Sequence, residues 1–193
     1  MKKYFALLTF VTILFASTSI PSEPNQVEQI AAIIDDFALP ISRRQTNDIA
    51  HALVQVRKNA KCEISWDVLL AVAMQESKLN HKAVRVNRRN GKVLSRDHGL
   101  MQFNDYTIRH RRLDKSRLNR DVLYSINAAC ELLTENKRKF SRRHKHWVGI
   151  YNAGTNFKNP DVKSRTIKYT KQISKLTVTI RQKYKKIYLS SNN

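Results

Sequence analysis

The chain has 193 residues and carries 36 Lys and Arg against 15 Asp and Glu, a formal charge of +21. That length is enough for one domain with a sizeable core and some appendages. A charge this large excludes an uncharged partner as its explanation: it implies nucleic acid, phospholipid or an acidic wall polymer.

Residues 1–19 read as an export signal. Lys2 and Lys3 precede an apolar run over 4–16, and Ser17-Thr18-Ser19 suits cleavage. The run is shorter than the roughly 20 residues of a spanning helix, so cleavage is expected, with an uncleaved anchor as the alternative. No cysteine follows for lipid attachment, and the chain is expected in the periplasm or cell envelope. Residues 20–45 contain Pro21, Pro24 and Pro40 around an apolar segment at 27–39, read as a helix outside the main domain.

The main domain is expected over 46–170. Ile49, Ala52, Leu53 and Val56 share one helical face, with Thr46 or Asn47 as N-cap. A second helix over 65–80, capped by Ser65, buries Trp66, Leu69, Leu70, Ala73 and Met74 on one face. Glu76 falls where that stripe ends, so a partly desolvated carboxylate faces a groove, the setting that raises an acid's pKa.

Residues 81–98 are polar and basic, and segments 83–86 and 92–94 can pair as a small hairpin about Asn90-Gly91. Residues 99–104 mix polar and apolar types as a cleft lining does. A short helix over 105–113, a basic loop over 115–120 and a long helix over 122–140 follow, then a buried turn at 147–151 closed by Asn152-Ala153-Gly154. Residues 163–188 place Ile167, Tyr169, Ile173, Leu176 and Ile180 at near-helical spacing, although the β-branched residues at 177–180 weaken the helical signal. Residues 171–193 are read as a basic helical tail, part of which packs on the domain.

Cys62 and Cys130 in an exported chain are expected to form a disulfide, two buried thiols being the alternative. His81, His98, His110, His144 and His146 are scattered without Cys-x-x-Cys or His-Glu-x-x-His spacing, so neither a metal nor another cofactor is expected.

Three short motifs carry chemistry: Glu76-Ser77-Lys78-Leu79-Asn80, Gly99-Leu100-Met101-Gln102-Phe103-Asn104 and Tyr151-Asn152-Ala153-Gly154. Their order and spacing over 46–169 resemble the signatures of lysozyme-like lytic transglycosylases. The Asp97-His98-Gly99-Leu100-Met101-Gln102 version looks most like the small members that accompany secretion, conjugation or phage entry. The resemblance implies an all-α, lysozyme-like fold and cleavage of the bond between N-acetylmuramic acid and N-acetylglucosamine. It makes Glu76 the acid and then the base, and a 1,6-anhydro ring the product. It also implies that Tyr151 approaches Glu76 over a backbone shaped by Asn152, that Ser77 and Gln102 hydrogen-bond the Glu or the sugar, and that Met101 and Phe103 line or support the cleft.

The partners so implied are glycan strands and a secretion or conjugation apparatus, with no nucleic acid, for a monomer. Asp97 is read two ways: a second carboxylate facing Glu76, or a turn residue satisfying backbone amides. The rival functions are a hydrolysing lysozyme using Glu76 and Asp97, and a basic non-catalytic protein that binds nucleic acid or membrane.

Overall fold

The computed structural model describes residues 23–191, so the expected export signal lies outside the described residues. Within them the helices are α1 Glu23–Asp35, α2 Arg43–Gln55, α3 Trp66–Ser77, α4 Asp105–Arg111, α5 Lys115–Arg120, α6 Val122–Phe140, α7 Ile150–Ala153 and α8 Pro160–Ser191. Between α3 and α4 lie three short strands, β1 Val84–Arg89, β2 Lys92–His98 and β3 Phe103–Asn104, paired antiparallel in the order β1-β2-β3. The fold is the helical, lysozyme-like one expected, and its hairpin is longer than the sequence suggested.

The core is built around α3. Leu69, Leu70, Ala71, Val72 and Ala73 are each at most 1% exposed, so this helix is apolar on every side rather than on one face, and α2, α6 and α8 surround it. Its N-cap position is Ser65, in extended conformation but without a side-chain cap bond. On α2 the cap is Ser42, whose hydroxyl accepts from the Gln45 amide at 3.2 Å, four residues before the expected Thr46.

The segment read as a helix outside the main domain packs into the core, and the C-terminal tail packs on the domain as its apolar positions suggest. Helix α1 buries Val27, Ile30, Ala31, Ile33 and Ile34 against α2 and α8, because its apolar positions are too many to leave in water. Helix α8 continues without a break past residue 170 and lies antiparallel to α3. Arg181 pairs with Asp67 on the first turn of α3 and Tyr184 packs on Trp66, while Tyr169 meets Glu76 at the other end. Tertiary burial of Thr177 and Ile180 overrides the weak helix preference of their β-branched side chains.

The segment expected as a basic loop over 115–120 is helix α5. Asp114 caps it, accepting from the amides of Ser116 and Arg117, and Asp121 then caps α6 by accepting from the Tyr124 amide at 2.8 Å. Cys62 and Cys130 are joined as a disulfide, with Cα atoms 5.3 Å apart, tying the α2–α3 connection to α6.

Candidate active site

The last turn of α3 delivers Glu76 to a cleft of about 480 Å³. Lys78 and Leu79 then take left-handed φ values of 52° and 65°, ending the helix sharply, and Leu79 is buried as an apolar stop. The Glu76 carbonyl, one of the orphan acceptors at the helix end, takes a hydrogen bond from the Arg85 guanidinium at 3.1 Å.

The Glu76 carboxyl is 6% exposed, and the Tyr169 hydroxyl donates to its Oε1 at 2.6 Å. Burial raises its pKa above the ordinary carboxylate value. The Tyr169 hydrogen bond and the Arg85 charge pull the other way, the charge of Asp97 adds to the rise, and the Asn152 amide opposes it slightly. Burial, then the neighbouring Glu76 charge, hold the Tyr169 phenol well above its usual value, so it remains a donor.

Asp97 faces the same cleft from β2. The register sets Arg85 opposite Asp97, Asn87 opposite Ser95, and Asp97 opposite Asn104, so these side chains share one face of the sheet. Asn87 donates to Asp97 Oδ2 at 3.1 Å and Asn104 to Oδ1 at 2.7 Å, and the Ser95 hydroxyl accepts from both amides. Asp97 is therefore not the amide-capping turn residue of the bland reading. Its two oxygens are each held by a side-chain amide donor, which fixes the orientation of the carboxyl.

The remaining expected residues divide. Gln102, Phe103, Tyr151 and Asn152 line the cleft. Gln102, at a φ of 49°, donates to the carbonyls of Ala83 at 3.0 Å and Gly99 at 2.8 Å, pinning the loop to the base of the hairpin. Met101 is fully buried, and its carbonyl accepts from the Tyr151 hydroxyl at 2.7 Å. Tyr151 thus hydrogen-bonds the 99–104 loop, with its ring edge-on to Phe103, while lining the cleft with Glu76. Its phenol is held well above its usual value by burial, to which the Glu76 charge adds. Ser77 turns away from the cleft, donating to the Ala73 carbonyl of its own helix at 3.2 Å.

Tyr169 and Arg85 were missed as site residues. Tyr169 reads as one more member of an apolar stripe, yet a buried tyrosine needs a partner for its hydroxyl, which was the available signal. Arg165, one turn before Tyr169 on α8, also lines the cleft, exposed and without a carboxylate partner among the described residues. Within those residues no cluster of three or more acidic, His or Cys side chains could hold a metal, and no helix is long and apolar enough to cross a membrane.

Comparison with known proteins gives a consistent picture. The model of the family described as "Transglycosylase SLT domain" matches residues 55–174. The chain is 36% identical over 115 residues to protein IpgF of Shigella flexneri, covering 57% of this chain and 69% of that protein. It is 30% identical over 113 residues to invasion protein IagB of Salmonella typhimurium strain LT2, covering 57% and 66% respectively. No solved structure matches. The matched segment contains both cleft carboxylates and both tyrosines, and the chain belongs to the transglycosylase SLT domain family, as a lytic transglycosylase, a lyase that acts on peptidoglycan.

Proposed function

We propose that Glu76 performs both proton transfers of the reaction. The observation that carries this is its placement: a carboxyl at the floor of the cleft, 6% exposed, with its pKa raised and one oxygen held by Tyr169. Neutral Glu76 protonates the glycosidic oxygen between N-acetylmuramic acid and N-acetylglucosamine, and the C1–O bond breaks to an oxocarbenium-like state. The resulting carboxylate takes the proton of the muramic C6 hydroxyl as that oxygen attacks C1. The 1,6-anhydro ring closes, and Glu76 is neutral again without consuming water.

Asp97, fixed by Asn87 and Asn104, supplies negative charge for the transient positive centre. Tyr169 stabilises the carboxylate form between the two transfers, and Arg165 offers a cation to the anionic substituents of the wall polymer. The periplasm is the compartment in which such a chain meets its substrate. Service to a secretion or conjugation apparatus is the partner reading, and it rests on the likeness of the Asp97–Gln102 motif to the small specialised members of the family.

The second reading is hydrolysis with Asp97 as nucleophile or stabiliser, favoured by the presence of both carboxyls in one cleft. Replacement of Glu76 by Gln tests the shared step. Lysis of purified wall is expected to fall by about 10²–10⁴-fold with the thermal transition retained, and full activity would sink the assignment.

A further inference from the structure

The β1–β2 hairpin has a second face that the cleft does not use. Of the seven large apolar side chains that stand exposed among the described residues, four lie on this hairpin: Leu94 at 65%, Val84 at 50%, Val93 at 41% and Val86 at 39%. Strand alternation directs Arg85, Asn87, Ser95 and Asp97 to the cleft and leaves Val84, Val86, Arg88 and Arg96 on the opposite face. The register shifts between Asn87 and Arg88, so Val93, opposite Arg88, joins that outer face and Leu94 is the unpaired residue of the irregularity. Between residues 84 and 96 there are five Arg and Lys and no Asp or Glu. Arg88, Arg89, Lys92 and Arg96 are exposed, and none is ion-paired to a carboxylate among the described residues. Arg88 instead donates to the Gly91 carbonyl, stiffening the turn.

We propose that this outer face is a docking surface for an anionic lipid bilayer, with Val84, Val86, Val93 and Leu94 entering the headgroup boundary and the basic side chains reaching the lipid phosphates. The combination of bare aliphatic tips with cations lacking carboxylate partners matches what an anionic interface rewards. Four small aliphatic side chains cover only a fraction of the roughly 800 Å² per partner that a specific protein interface buries, whereas an interfacial anchor needs no complementary shape. The geometry also gives the contact a consequence. Because the two faces of one hairpin are opposed, docking would hold the cleft facing away from the bilayer, toward the glycan layer. The proposal does not depend on how Glu76 reacts.

The test is partition of the mature protein onto phosphatidylglycerol-containing vesicles, compared with pure phosphatidylcholine. Each basic residue near an anionic surface is worth about fivefold in partition. The triple variant Arg88→Gln, Arg89→Gln, Lys92→Gln is therefore expected to lose about a hundredfold. The equal-charge variant Lys171→Gln, Lys175→Gln, Lys185→Gln, on exposed positions of α8 away from the hairpin, is expected to stay within fivefold. Leu94→Trp should shift its emission to the blue on anionic vesicles alone, with the thermal transition confirming that each variant folds. Equal losses from the two triple variants would overturn the proposal in favour of whole-molecule attraction. It would fall equally if the Leu94→Trp emission were already blue without vesicles, or shifted only with glycan strands, since the face would then belong to the chain itself or to the wall.

Discussion

Glu76 sits under opposing influences, and each can be removed separately. Its general-acid step needs the neutral form, so activity is expected to decline as pH rises through its raised pKa. Tyr169→Phe removes the hydrogen bond that most lowers that pKa, and should move the alkaline limb of the pH–rate profile upward while slowing turnover. Asp97→Asn removes a like charge and should move the same limb downward with a partial loss of rate. A purely structural role for either residue would reduce activity without moving the limb in opposite senses. The same shift has a stability sign. The folded state keeps its proton where the unfolded chain has lost it, so Glu76 lowers stability as pH rises from the ordinary carboxylate value of 4.5 through its own. Urea unfolding at neutral pH should accordingly find Glu76→Gln more stable than the parent, and find the two equal well below pH 4.5. From the sequence, the end of an apolar stripe made Glu76 a candidate, and the three-motif resemblance gave it its role. Tyr169 was not legible, because its function depends on a contact 93 residues away and its local pattern is that of a core aromatic.

Helix α8 turns the site from a residue into a device, and a glycine lets it come close enough. A Cβ at Gly149 would lie 2.0 Å from the Thr166 carbonyl oxygen, and the Gly149 amide donates to the Thr170 hydroxyl at 3.1 Å. That contact brackets Tyr169 along α8. Gly149→Ala is expected to cost about 1–3 kcal/mol of stability by overpacking. Because α8 must move outward, it should also reduce wall lysis more than the stability loss explains, measured as rate well below the melting transition. At this scale the sequence was partly legible. Periodicity gave α6 with its observed ends, since 19 residues of helical spacing leave little ambiguity. It failed at α5, where six residues are too few to show a period, while the helical spacing read in the far half of α8 agrees with the helix observed there despite its β-branched residues.

For the whole molecule, closure comes from links between segments far apart in the chain. The Cys62–Cys130 disulfide spans 68 residues and is expected to contribute about 4 kcal/mol by restricting the unfolded chain. Replacing both cysteines with Ser should lower the urea midpoint accordingly and leave the cleft chemistry in place. Helix α1 packing on α2 and α8 makes residues 23–191 one folding unit, so removing α1 should destabilise the catalytic core rather than release an appendage. The aggregate positive charge was evident from composition, but its concentration beside bare aliphatic side chains on one hairpin required the strand register. The central claim, that one carboxyl acts as acid and then base with no water entering the product, is tested most directly by digesting purified peptidoglycan in water labelled with heavy oxygen and weighing the muramyl ends. The account predicts 1,6-anhydro ends carrying no label. Reducing ends carrying the label would contradict it and assign the cleft to hydrolysis through Glu76 and Asp97.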